Sequence, residues 1–287
     1  MKVNSSLTSV TMMWNFIYDE GAIAIADALR VNSSLTHLNL CCNSIHDEGA
    51  IAIADALKVN SSLTYLNLHL NSIHDEGAMA IANSLKVNSS LISLNLARNK
   101  IEDKAAIGIA NALKVNSSLT SLDIHMNSIH EEGAIAIANS LKVNSSLISL
   151  DLAWNKIKEK GAIAISDALT VNSSLTFLNL YDTSISHMGV IAIADALQEN
   201  NTLISLDLSQ NSIGCHALVS FAKSLTYNPT LLTLKVYGGG TPTFLGLQEF
   251  KDTFHYLKGL LSFLIGEDGA QVLGIAFQIK SRNVTLL

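Results

Sequence analysis

LTYLNLHLNSIHDEGAMAIANSLKVNSS, residues 63–90, is repeated almost letter for letter. LISLNLARNKIEDKAAIGIANALKVNSS begins at Leu91, LTSLDIHMNSIHEEGAIAIANSLKVNSS at Leu119 and LISLDLAWNKIKEKGAIAISDALTVNSS at Leu147. Leu7, Leu35, Leu63, Leu91, Leu119, Leu147, Leu175, Leu203 and Leu231 mark nine copies, 28 residues apart. A fixed period of this length describes units that stack on their neighbours and share one continuous core. It overrides any estimate of domain number from the length of 287 residues.

Each unit contains two periodicities. In the second copy Leu35, Leu38 and Leu40, followed by Asn43 and Ile45, alternate as a short strand with one buried side. DEGAIAIADALK, Asp47 to Lys58, then changes to helical spacing: Ile51, Ala54 and Leu57 share a face, with Ala50 and Ile53 beside them. Gly49 and the alanines are expected to keep the helix slim against the strand. Asp47 and Glu48 stand at the positive end of the helix dipole and Lys58 at the negative end. Lys86, Lys114 and Lys142 repeat that role, and Asn60 suits a left-handed helix stop. His46, His74 and His130 read as turn residues that open helices.

This LxxLxLxxNxI motif closely resembles the leucine-rich repeat family, and the 28-residue strand–helix unit resembles its ribonuclease-inhibitor-like branch. The match covers residues 3 to about 236, with departures at Thr183 and Gly239, which replace the turn Asn of the seventh and ninth copies. The resemblance implies an α/β solenoid, a horseshoe with a parallel sheet on the concave side and helices outside. Strands stack at about 4.8 Å and helices at about 8–10 Å, so the stack must curve, over roughly a half-circle for nine copies.

Residues 1–236 are thus read as repeats, 237–268 as a helical insertion in the ninth repeat, and 269–287 as a last helix and terminal strand. Val236 precedes Gly269 by 33 residues, against nine between Leu180 and Gly189. In the inserted stretch Leu247, Phe250, Phe254, Leu257, Leu261 and Leu264 trace an amphipathic helix that can cap the core. Phe244, Tyr256 and Phe263 fall outside that stripe, and Tyr237 with some of these three is expected to form one wall of the binding face.

Composition removes several functions. A net charge of -6 and a pI of about 5.8 oppose a nucleic-acid surface. The mean hydropathy is +0.32, yet Asp or Asn interrupts every apolar run before the ~18 residues that a membrane span needs. Three cysteines, with Cys41 and Cys42 adjacent, suit a reducing compartment. No leader precedes the first copy, and NSS, a glycosylation acceptor, recurs from Asn4 to Asn172. A cytoplasmic protein is the expectation.

Function is sought where the copies differ. Counted from the first Leu, the third position carries His37, Tyr65 and Phe177, and the seventh Met13, Cys41, His69, Ala97, His125, Ala153, Tyr181 and Ser209. The eighth carries Trp14, Cys42, Leu70, Arg98, Met126, Trp154, Asp182 and Gln210, while the fifth stays polar and turns acidic at Asp123, Asp151 and Asp207. These side chains are expected to point into the concavity. Aromatic and Arg side chains dominate interface hot spots. Trp14, His37, Tyr65, His69, Arg98, Asp123, His125, Asp151, Trp154, Phe177, Tyr181, Asp182, Asp207 and Tyr237 are therefore the candidate partner-binding residues.

Catalysis is the least favoured alternative. Cys41 and His69 share a column on adjacent strands, a permissible nucleophile–base pair, but nothing forms an oxyanion hole. Zinc binding by Cys41, Cys42, His37 and His69 is rejected because adjacent strand residues face opposite ways. No cofactor or metal is expected. The reading is a monomeric module that binds another protein, with no nucleic acid and no membrane among its partners. The resemblance implies an inhibitor that covers an enzyme with basic groups near its active site. It also implies an effector that intracellular bacteria deliver into the cytosol of amoebal or animal host cells. A passive scaffold, or the sensor fragment of a larger receptor, is the alternative.

Overall fold

The structure, a computed structural model, describes residues 4–236 and 285–286. Ten parallel strands form one sheet in sequence order. They are β1 (Ser9–Thr11), β2 (His37–Asn39), β3 (Tyr65–Asn67), β4 (Ser93–Asn95), β5 (Ser121–Asp123), β6 (Ser149–Asp151), β7 (Phe177–Asn179), β8 (Ser205–Asp207), β9 (Thr233–Lys235) and β10 (Thr285–Leu286). Helices alternate with them: α1 (Tyr18–Leu29), α2 (Asp47–Leu57), α3 (Asp75–Leu85), α4 (Asp103–Leu113), α5 (Glu131–Leu141), α6 (Lys158–Leu169), α7 (His187–Ala196) and α8 (Cys215–Tyr227). From β1 to β9 the register pairs equivalent residues, Ser9 with His37 and Asp123 with Asp151, so each repeat position becomes a column across the sheet. No helix among the described residues is long and apolar enough to cross a membrane. Tyr237, Phe244, Tyr256, Phe263 and the apolar stripe from Leu247 to Leu264 lie outside the described residues.

The alternating leucines face the helices. Leu35, Leu38, Leu40 and Ile45 are fully or almost fully buried, as are Ala50, Ile53, Ala54, Ala56 and Leu57 of α2. Ile51 does not join them; it is exposed, like Ile107 and Ile163, because the buried stripe also takes in Ala50, Ile53 and Ala56, one residue before the Ile51–Ala54–Leu57 row. A β-carbon on Gly49 would meet Ala22 Cβ of the preceding helix and the Asp19 carboxylate at 2.8 Å, and Ile45 of its own repeat at 2.9 Å, so this glycine admits the neighbouring helix as well as the strand motif's closing Ile.

Asp47 and Glu48 stand in the first turn of α2 as expected, and the aspartates in addition cap the next helix. Asp47 Oδ1 accepts the N–H groups of His74 (2.8 Å) and Gly77 (2.9 Å) at the start of α3, and Asp19 and Asp103 repeat the arrangement with α2 and α5. A carboxylate here satisfies orphan donors and meets the positive helix end. Where Ala105 replaces the glycine, Asp75 accepts only Glu102 N–H. Lys58, Lys86 and Lys114 stand at the C-terminal ends of their helices as expected, and each also binds a side chain one turn earlier, Asp55, Asn83 and Asn111.

Asn60 is buried and not left-handed, so it is no helix stop. Its Nδ2 donates to Leu29 O and Asn32 O of the preceding repeat, while Oδ1 accepts Ser62 N–H and Leu63 N–H. The same four-bond bracket recurs at Asn88, Asn116, Asn144, Asn172, Asn200 and Asn228. The recurrence of NSS thus has a structural cause. Turn asparagines form a second bracket: Asn71 donates to Leu40 O and accepts from Asn43 N–H and Ile45 N–H. Thr183, its shorter replacement, binds Leu180 O and Asn211 Oδ1.

The eighth position of every copy from Trp14 to Gln210 is left-handed, with φ between 49° and 61°. The turn directs the N–H onto the next repeat, as in Cys42 N to His69 O (3.0 Å) and Trp154 N to Tyr181 O (2.8 Å). A side chain in this conformation costs about 1–2 kcal/mol, which glycine avoids. Gln210→Gly is therefore expected to hold or raise the melting temperature, whereas Gln210→Val lowers stability by about 1–2 kcal/mol. Equal losses in the two variants would show that the turn is unstrained.

Candidate protein-binding surface

The third, fifth and seventh positions project from the sheet face opposite the helices, since the fourth and sixth are core leucines or isoleucines from the second to the eighth copy. The seventh column divides by size. Cys41, Ala97, Ala153 and Ser209 are buried, contrary to expectation, while Met13 is exposed and His69, His125 and Tyr181 are half-buried. Small side chains end below the surface that larger ones create. Ala97 thereby leaves a gap in which large neighbours meet. His69 and His125, one strand apart on either side of Ala97, approach to 5.7 Å between ring centroids.

The candidate residues form three groups. His37 stacks on Tyr65 at 5.6 Å. Trp154, 48% exposed, meets Tyr181 at 5.3 Å with the rings tilted by 44°. Between them lie Asp123, His125 and Asp151, with His69 beside His125. Phe177 is exposed on β7, Asp182 is half-buried at a left-handed turn, and Arg98 is exposed at another. Trp14, 68% exposed, stands apart on the first copy.

The fifth column stays polar for a structural reason that the sequence reading missed. Its side-chain oxygen accepts the N–H two residues on, from Asn39 with Cys41 N (3.0 Å) to Asp207 with Ser209 N (2.9 Å). Asparagine serves as well as aspartate. The acids are therefore additional charge on a bracing position. Asp207 already pairs with Lys235 at 3.6 Å, so its charge is met within the chain. Asp123 Oδ1 binds His125 Nδ1 at 2.7 Å, and Asn95 and Asn179 donate to Asp123 Oδ2 and Asp151 Oδ2 at 2.9 Å. Lys235 and Asn179 were not foreseen, because their partners lie on the adjacent strand.

These contacts separate the two histidines. The bond to Asp123 holds the His125 pKa above the ordinary value, outweighing burial. Burial, reinforced by His125 and Arg98, holds His69 below it. Protonated His125 thus stabilises the fold at pH below its unfolded pKa, and this contribution is lost as pH rises through the raised folded value. His69 has the opposite sign: its neutral form is favoured, and stability is lost as pH falls below the unfolded value. NMR titration is expected to give a higher midpoint for His125 than for His69, with Asp123→Asn lowering the His125 midpoint. Coincident midpoints would contradict the Asp123–His125 bond.

The thiol chemistry is corrected as well. Cys42 is left-handed, so Cys41 and Cys42 do not face opposite ways; their sulfurs lie 2.9 Å apart. Burial first, then the neighbouring Cys42, pushes the Cys41 pKa up to about 12. A thiol protonated at neutral pH is no activated nucleophile, and the imidazole beside His69 is His125. The Cys41–His69 pair lacks its chemical basis.

Comparison with known proteins adds one family. The family described as "Leucine Rich repeat" matches residues 3–26, 31–54, 59–82, 87–110, 115–138, 143–166 and 199–220. The seventh copy, which carries Thr183, is unmatched. No protein of curated function matches the chain. Among solved structures, "Leiomodin-1 Actin-Binding Site 2 (ABS2)" is similar with 19% identity and a TM-score of 0.42, covering 72% of this chain and 97% of that one.

Proposed function

Because the chain belongs to the leucine-rich repeat family, we propose that the open face of its sheet binds another protein. One observation carries this reading: exposed Trp154 and half-buried Tyr181 form an aromatic pair beside the Asp123–Asp151 carboxylates on an otherwise repetitive surface. Aromatic rings supply contact area, and the flanking acids favour a partner that presents Arg or Lys. The finer reading is an enzyme with basic groups around its active site, which the face covers as members of the ribonuclease-inhibitor-like branch do. Delivery by an intracellular bacterium into a host cytosol is compatible with that role.

The buried asparagines favour a cytoplasmic compartment. A glycan on Asn116 Nδ2 would replace protons that bind Leu85 O and Asn88 O and could not fit the interior.

Capture from an extract of the source cell tests the function. Wild-type protein and a Trp154→Ala/Tyr181→Ala variant are immobilised in parallel. A protein retained by the first and lost by the second supports the reading. Identical retention by both, with the variant folded, excludes this face.

A further inference from the structure

The centre of the open face holds a donor set that protein binding alone does not require. Asp123 and His125 lie two residues apart on one strand and its extension, and Asp151 stands opposite Asp123 in the register of β5 and β6. One ligand atom from each of the three lies within 4.8 Å of the others. Tetrahedral zinc ligands at about 2.0–2.2 Å from the ion stand about 3.3–3.6 Å apart, so the Asp123–His125 pair, now at 2.7 Å, opens slightly to admit it.

Two further observations point to a cation. Carboxylates directly opposite on neighbouring strands repel, yet this pair is half-buried and held face to face. The ion pairs of the sheet face among the described residues are His125–Asp123 and Lys235–Asp207; Asp151 belongs to neither. In addition, each carboxylate is aimed by groups outside the trio. Asn95 fixes Asp123, while Asn179 and Ala153 N–H fix Asp151. Outer hydrogen bonds of this kind orient ligands in metal centres.

We propose that Asp123, His125 and Asp151 form a binding site for a borderline divalent transition ion such as zinc. Nitrogen and carboxylate donors suit zinc, and the imidazole disfavours calcium and magnesium. Nδ1 of His125 faces Asp123 and Nε2 points away from it, so the ion takes Nδ1 and displaces the proton between the two groups. Binding therefore requires neutral imidazole. The site needs no partner and stands independently of the proposed function.

Calorimetric titration of the metal-stripped full chain with zinc chloride tests this, with cobalt(II) absorption as a spectroscopic readout. One ion per chain is expected, unaffected by Cys42→Ser and by excess calcium. Asp151→Asn and His125→Gln should each weaken binding by about tenfold or more, and Asn95→Ala by about tenfold. Thermal melts establish that the variants are folded, and Asn95→Ala serves as the test if either ligand variant is not. Absence of stoichiometric binding, unchanged affinity in the folded variants, or loss only on Cys42→Ser overturns the proposal.

Discussion

Asn116→Ala is expected to destabilise the protein by about 4 kcal/mol or more. The side chain is 6% exposed and makes four hydrogen bonds: to Leu85 O at 2.8 Å, Asn88 O at 3.0 Å, Ser118 N at 3.1 Å and Leu119 N at 2.8 Å. Alanine leaves two carbonyls and two N–H groups without these partners in the interior, at about 1–3 kcal/mol per unsatisfied group where water cannot enter. The bracket also joins one repeat to the preceding one. Its loss weakens the interface that makes the stack cooperative, and unfolding should split into two transitions around it. Asn116→Asp keeps an acceptor but removes both donors and buries a charge, so it should be no milder. Ser117→Ala, at the exposed neighbouring position, should stay within about 0.5 kcal/mol of wild type. Denaturant unfolding of the three variants measures this. A loss below about 1 kcal/mol for Asn116→Ala would mean that water replaces the amide, and that the brackets do not hold the solenoid together.

The repeat, its strand and helix, and the columns across the sheet are legible in sequence because one period sets them all. A 28-residue unit in parallel stacking allows a single register, so Tyr65 beside His37 or Asp151 beside Asp123 follows from counting. Partnership between copies is less visible. Asp47 and Asn60 occupy positions where a residue ordinarily caps its own helix, and nothing local reveals that their hydrogen bonds reach 27 to 31 residues along the chain. The left-handed eighth position is hidden for another reason: Trp, Leu, Arg and Met occur there instead of Gly, since the hydrogen bond to the next repeat enforces the turn. The candidate site was legible as a set of columns. The approach of His69 to His125 depends on Ala97, whose small size matters only once its neighbours are in place.

Trp154→Ala and Tyr181→Ala should each cost about 2 kcal/mol or more of partner affinity, roughly a 30-fold rise in Kd. The rings touch one another, so their effects should couple and the double variant should lose less than the sum. Melting temperatures should change little, because Trp154 is half exposed and Tyr181 projects from the sheet away from the helices. Phe177→Ala, exposed on the neighbouring column, is expected to have a smaller effect. Calorimetry with the captured partner gives these values. Losses within error at both anchors, in folded protein, would remove the aromatic pair from the interface.

The most direct test of the account places a photo-crosslinking side chain at Tyr65 or Phe177 on the open sheet face, and at Val115 or Ile163 elsewhere. Val115 is 65% exposed and Ile163 is 40% exposed, so both can react with anything that contacts them. The account predicts adducts with the partner from Tyr65 and Phe177 and none from Val115 or Ile163. Adducts from Val115 or Ile163, with none from the sheet positions, would contradict it and place the binding surface outside the sheet.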